Sequence, residues 1–279
     1  MIAKILSAVA LVIALTAGSA RADTFAYATT RTGQFGVVDL NTGVFTESGN
    51  MGLILTGLGM VGNTLYGGGR GSSTLYSVNP QTGALTTVGS GSLTYWATGS
   101  TTSRLYAVDL NTNMNLYSID PSTGAATLIG PTGLSPSAYV EGMSTGSHAL
   151  YYTVNSSLYT LDTKNGAATL VGTSSLGLFG PTVFEHGTIY AGAAGPSAIY
   201  TLSGSDGSGT FVADVSGADT NFWGLAPYRG RPPVSEFPIF ATASVSEVPI
   251  PAALPLFATG LGVLGLFGWS RKKKAQAAT

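Results

Sequence analysis

Glu141 and Glu185 are the acids of this 279-residue chain with the strongest claim to chemistry, each in a short strand-like run and followed by Gly142 and His186. A pair of carboxylates flanking one bond is what glycoside hydrolysis needs, one as acid and the other as base or nucleophile. They fall at roughly corresponding places in neighbouring repeats, but the other three repeats carry no acid there and spacing alone does not set their separation, so no catalytic residue is expected. Trp96 and Trp223, flanked by Tyr95 and Phe222, could present an aromatic platform to sugar rings, with packing between repeats as the stronger alternative. The two histidines, His148 and His186, stand in turn-like Gly- and Ser-bearing contexts without companions at ligand spacing. Asp-led turns invite a calcium reading, yet they lack the acid count and the closing Glu of an EF-hand loop. Gly67-Gly68-Gly69 lacks the Lys and the strand-to-helix setting of a phosphate loop. With no cysteine, thiolate ligands, disulfides and a cysteine nucleophile are excluded. No metal and no cofactor are expected.

The elements that would carry these residues are short β-type runs separated by Gly, Asn, Ser and Thr, without a stretch of convincing helical spacing, so the chain reads as all-β. Leu75-Tyr76, Leu116-Tyr117, Leu158-Tyr159 and Ile199-Tyr200 recur with their tyrosines 41, 42 and 41 residues apart, and Phe35-Gly36 continues the series if Gly36 takes the aromatic position. A second series, Leu65-Tyr66, Leu105-Tyr106, Leu150-Tyr151 and Ile189-Tyr190, precedes the first by 8 to 11 residues. After the Leu-Tyr strand comes a turn with Asp or Asn first and Gly fifth, as in Asp39 to Gly43, Asn79 to Gly83, Asp120 to Gly124 and Asp162 to Gly166. The Asx side chain can hydrogen-bond the backbone two residues on, and the Gly supplies the left-handed residue of a bulged hairpin.

With an inner strand and an outer strand added, the unit of about 41 residues has the size of a four-stranded propeller blade. Counting gives a five-bladed β-propeller-like domain over residues 23–228. Inner strands are expected near Leu58 to Val61, Tyr95 to Gly99, Val140 to Ser144 and Thr182 to Glu185. The fifth, Asn221 to Ala226, would join three N-terminal strands (Thr24 to Thr30, Phe35 to Val38, Val44 to Ser48) and close the ring, which an open solenoid or sandwich would leave open.

The ends speak of export. Lys4, the apolar run Ile5 to Ala17 and the small residues Ala20 and Ala22 flanking Arg21 form a signal peptide over 1–22, with the mature chain expected from Asp23. Between Asp23 and Glu247 six basic residues face thirteen acidic ones, a net charge of −7, which argues against nucleic-acid binding. Residues 229–247, Pro- and Ser-bearing and without repeat, read as a linker. From Ile250 to Trp269 lie 20 uncharged residues, enough at about 1.5 Å each for one crossing of roughly 30 Å of hydrocarbon. Arg271, Lys272, Lys273 and Lys274 close the run and would stay in the cytoplasm, leaving everything before residue 248 across the membrane and only the tail 275–279 beyond.

Val248-Pro249-Ile250-Pro251-Ala252, the apolar span with Gly260-Leu261-Gly262 and Gly265-Leu266, and the basic end resemble, in order, the PEP-CTERM sorting signal in its VPxPA-type variant, over residues 248–274. Ile250 stands where the commonest form has Glu. The resemblance implies recognition by an exosortase, a membrane cysteine transpeptidase, after signal peptidase has acted at the other end. It implies a Gram-negative envelope, an inner-membrane intermediate facing the periplasm, and then the cell surface or an extracellular polysaccharide matrix. The tail would be a temporary address, by the same logic as a GPI signal. The expected role is binding or structural, with a polysaccharide or surface protein as ligand. The alternatives are a glycan-active hydrolase or lyase using the propeller funnel, and a periplasmic protein whose tail is never cut.

Overall fold

The computed structural model describes residues 24–109, 114–135, 141–144, 149–177, 179–193 and 197–230. The expected signal peptide, most of the linker, the whole sorting signal and His148 lie outside them. Among the described residues, twenty strands form five four-stranded antiparallel sheets. Blade 1 joins β1 (Phe25–Thr30), β2 (Gln34–Asp39) and β3 (Phe45–Asn50) to the last strand, β20 (Phe222–Pro227). Blade 2 is β4 (Gly59–Val61), β5 (Thr64–Gly68), β6 (Thr74–Val78) and β7 (Leu85–Ser90). Blade 3 is β8 (Tyr95–Ser100), β9 (Leu105–Asp109), β10 (Asn115–Ile119) and β11 (Ala126–Pro131). Blade 4 is β12 (Glu141–Met143), β13 (Leu150–Val154), β14 (Ser157–Leu161) and β15 (Ala168–Thr173). Blade 5 is β16 (Phe179–Glu185), β17 (Thr188–Ala193), β18 (Ala198–Leu202) and β19 (Gly209–Asp214).

β4 packs on β8, β8 on β12, β12 on β16, β16 on β20, and β20 back on β4. That cycle is a closed five-bladed propeller with the first strand of each unit innermost, not an open solenoid or sandwich. β20 closes it by pairing with β1 from Ala26↔Pro227 to Thr30↔Phe222. The expected inner strands match to within a residue or two except β16, which begins three residues early. Gly180-Pro181 reads as a turn in the sequence, but it lies in a register shift between Phe179 and Thr182, and a bulge is a place where a strand tolerates Pro.

The core is divided among the five gaps between blades, one apolar cluster in each. The two residues of each Leu-Tyr pair point to opposite faces of their strand, so Leu75 enters the gap toward blade 3 while Tyr76 enters the gap toward blade 1. Leu116 and Tyr117, Leu158 and Tyr159, and Ile199 and Tyr200 divide in the same way. Both faces of a blade are buried, which is why adjacent positions are apolar instead of alternating with polar ones. Gly36 does take the aromatic position of the first copy, where a Cβ would meet the Thr46 carbonyl oxygen and the Phe45 ring.

Each outer strand carries one bulge in the same register. Val88, Ile129, Val171, Val212 and Ser48 are the extra residues, and Gly89, Gly130, Gly172, Ala213 and Gly49 follow them. A Cβ on Gly89, Gly130, Gly172 or Gly49 would run into the carbonyl of Thr123, Asn165, Asp206 or Thr82, each in the Asx-type turn of the next blade. Bulge and turn are thus one device: the turns of blades 2 to 5 seat on the glycine of their predecessor's outer strand, and that of blade 1 meets Ala213 and Asp214 of blade 5. The turns have the expected chemistry, with backbone N–H groups of Asn41, Gln81, Ser122 and Lys164 donating to the side chains of Asp39, Asn79, Asp120 and Asp162 at 2.8 to 2.9 Å. Their glycines, Gly43, Gly83, Gly124 and Gly166, have φ of 73°, 72°, 73° and 87°. A fifth turn, Ser203 to Gly207, uses a Ser hydroxyl in the same place, accepting from the Ser205 N–H at 3.3 Å.

Candidate functional site

Inner strands of a closed ring run the same way, as the parallel bridge between Gly57 and Thr98 shows for blades 2 and 3. Their first residues therefore lie at one end of the propeller and their last at the other. Trp96 is second in β8, Trp223 second in β20 and Glu141 first in β12, whereas Glu185 is last in β16. A Cβ on Gly142 would meet Gly180 and Pro181, so Glu141 is level with the start of β16. At about 3.3 Å per residue, Glu185 lies roughly 15 Å further along. The two residues that the sequence sets side by side thus begin and end their strands at opposite ends of the ring.

Glu185 has a structural partner. It is nearly buried, at 6% exposed, and its carboxylate accepts a 2.8 Å hydrogen bond from Arg229, which follows β20 and also donates to the Tyr228 carbonyl at 3.1 Å. Arg229, read from the sequence as the first linker residue, ties the end of β20 to the end of β16 across the closing gap. Nearby, Tyr228 lies tilted on Tyr27 with ring centroids 4.8 Å apart, and burial raises both phenol pKa values, with the charge of Tyr228 adding to the rise at Tyr27. His186 sits in the β16–β17 turn with φ 49°, a turn residue as expected.

The opposite end carries more. The Trp223 indole is half-buried, and two guanidinium groups lie against it: the Arg70 carbon is 4.6 Å from the ring centroid and the Arg31 carbon 5.9 Å. Arg31 is in the β1–β2 turn, its N–H donating to the Asn221 carbonyl at 3.2 Å and to the Thr220 hydroxyl at 3.2 Å. Arg70 is in the β5–β6 turn, fixed by its N–H to the Ile54 carbonyl at 2.9 Å. The same turn holds β8, since the Tyr95 N–H donates to the Ser72 carbonyl at 3.2 Å. Around Arg31, the Thr32 hydroxyl donates to the Asp219 carboxylate, the Asp219 N–H donates to the Gln34 side-chain oxygen at 2.9 Å, and the Gln34 amide donates to Glu47 at 2.8 Å.

Trp96 is half-buried on β8, with its indole N–H buried and without a hydrogen-bond partner. The Tyr95 hydroxyl is buried and unpartnered too, and burial pushes its pKa up to about 12. Among the described residues, no three of His, Asp and Glu come close enough to hold a metal ion.

Sequence reasoning found Trp223 but missed Arg31 and Arg70. A signal was there: they occupy the same turn of consecutive repeats, five and six residues before the aromatic position at Gly36 and Tyr76. The closing of β20 onto β1 was expected from the sequence; that it brings Trp223 to both turns was not.

No family model matches the chain. No curated protein matches it either. Among solved structures, it resembles a structural-genomics protein of unknown function from Bacteroides thetaiotaomicron, with 20% identity, 56% of this chain and 42% of that chain covered, and a TM-score of 0.45. The match thus spans less than half of that relative's length. It also resembles a chain of a nidogen/laminin complex, with 11% identity, 73% and 97% covered, and a TM-score of 0.48.

Proposed function

We propose that this chain is an exported envelope or extracellular propeller, sorted and processed by an exosortase, with a non-catalytic binding role at the cell surface or in its polysaccharide matrix. The observation that carries the sorting reading is the order of Val248-Pro249-Ile250-Pro251, an uncharged span and Arg271 to Lys274 at the C-terminus, opposite a signal-peptide pattern at Met1 to Ala22. A bare stop-transfer anchor needs the span and the basic end, but not the proline motif before them.

For the binding role, two features of the propeller give support. Glu185 is paired with Arg229 at 2.8 Å, so it is not free to serve as one carboxylate of a glycosidic pair. At the Trp223 end, an aromatic ring and charged donors meet on an accessible surface. Envelope fractionation tests the sorting reading. Wild-type protein should leave the inner membrane, and the Pro249→Ala/Pro251→Ala variant should be retained there; equal release of both would remove the motif from the account.

A further inference from the structure

We infer that Arg31 and Arg70, mounted on Trp223, form a binding site for a carboxylated saccharide, a polymer or oligomer bearing uronate groups. The inference rests on the binding role proposed above and not on the sorting of the tail.

Its first support is the state of the two guanidinium groups. Both arginines are exposed, both lie against one indole, and neither has a carboxylate partner among the described residues. The pairing is notable in a mature region with thirteen acids to six bases, where an arginine placed without constraint would readily meet a counter-charge. Asp219 and Glu47 are close by but take hydrogen bonds from Thr32 and Gln34. A guanidinium held over an aromatic face keeps its in-plane N–H donors free, and that planar fork matches a carboxylate in two parallel hydrogen bonds. The indole therefore orients the cations instead of neutralising them.

The second support is the mounting. Arg31 and Arg70 come from turns of different blades, each fixed by backbone hydrogen bonds, so the charges are presented from a rigid scaffold and not from a mobile tail. Preorganised donors lose less on binding than flexible ones.

The third support is the setting. Thr32, Thr220 and Gln34 lie around Arg31 and hydrogen-bond Asp219 and Glu47, a polar setting suited to the hydroxyls of a sugar that also bears a carboxylate. The net charge of −7 on the mature region repels polyanions elsewhere, so attraction would be local to this end and weakened by salt.

The test is titration of purified full-length protein with an oligogalacturonate, a neutral glucan of the same length and an oligoglutamate, at low and high salt. The wild type should bind the uronate saturably, prefer it to both others, and weaken as salt rises. Arg31→Gln/Arg70→Gln should weaken uronate binding by at least about tenfold, the loss of charge-assisted pairs. Trp223→Phe should give an intermediate loss, because the charges remain but the cation–π mounting is poorer. Arg104→Gln, at the other end of the ring in the β8–β9 turn, should bind as the wild type does. Unchanged melting of each variant would show that the fold is kept. No saturable uronate binding, equal binding of the neutral glucan, an unaffected double arginine variant or an equal loss in Arg104→Gln would each overturn the inference. Equal binding of oligoglutamate would overturn it in favour of an acidic peptide. None of these failures bears on whether the tail is cut, which the fractionation reads separately.

Discussion

Tyr95 shows what a single buried group contributes at the residue scale. Its hydroxyl is buried without a partner and its pKa rises from the ordinary 10.0 to about 12 through desolvation. A phenol with a raised folded pKa leaves stability intact below pH 10 and withdraws it as pH rises from 10 toward 12, where only the unfolded chain ionises. Tyr95→Phe should therefore be neutral or stabilising at pH 7 and should remove part of the alkaline loss, as thermal melts between pH 7 and 12 would read. The opposite sign belongs to Asp206. Hydrogen bonds from the Ser203 and Ser208 side chains and the Ser208 backbone hold it at about 2, against an ordinary 3.8. Its contribution is present above 3.8 and fades as pH falls toward 2, so Asp206→Asn should lower stability at pH 7 and flatten the acid limb of the stability curve over that window. The Asx role of Asp39, Asn79, Asp120 and Asp162 was readable from their spacing to a following Gly, whereas that of Asp206, which stands fourth in a Ser-led turn, was not. Nor was the buried, unpartnered hydroxyl of Tyr95, because it depends on the tyrosine packing against the neighbouring blade, where a Cβ on Gly68 would meet its ring.

At the element scale the repeat is joined by bulges, and the bulge glycines should be the least replaceable surface-strand residues. Gly172→Ala would drive a methyl into the Asp206 carbonyl of the next blade and should cost about 1–3 kcal/mol by denaturant unfolding. Ala213 already stands at the equivalent place in β19, facing Gly43, so Ala213→Gly should cost much less. Inner strands are stitched by hydroxyls: Ser100 donates to the Met60 carbonyl and accepts from the Met60 N–H, both at 2.8 Å and both buried. Ser100→Ala leaves that N–H without its partner and should destabilise by about 1–3 kcal/mol, measured in the same way. Strand order and turn chemistry were legible because they are local and repeated. The start of β16 was not, since Gly180-Pro181 signals a turn locally and only its pairing with β17 makes it part of a strand.

For the whole molecule, ring closure was legible as arithmetic: three strands too many at one end of the repeat and one at the other. Its consequence for the site was not, because β20 carries Trp223 to Arg31 and Arg70 only once the ring exists. Glu141 and Glu185, which the linear spacing had aligned, differ because one begins β12 and the other ends β16, not because of the closure. The proposal that this propeller is an envelope protein rests on the terminal segments, and the proposal that those segments are removed is the central one. The most direct measurement is the intact mass of the protein isolated from its native envelope. A mature chain beginning near Asp23 and ending near residue 248 is the expected result. A mass that retains the sequence through Thr279 would contradict it, leaving an uncut membrane anchor in place of a processed sorting signal.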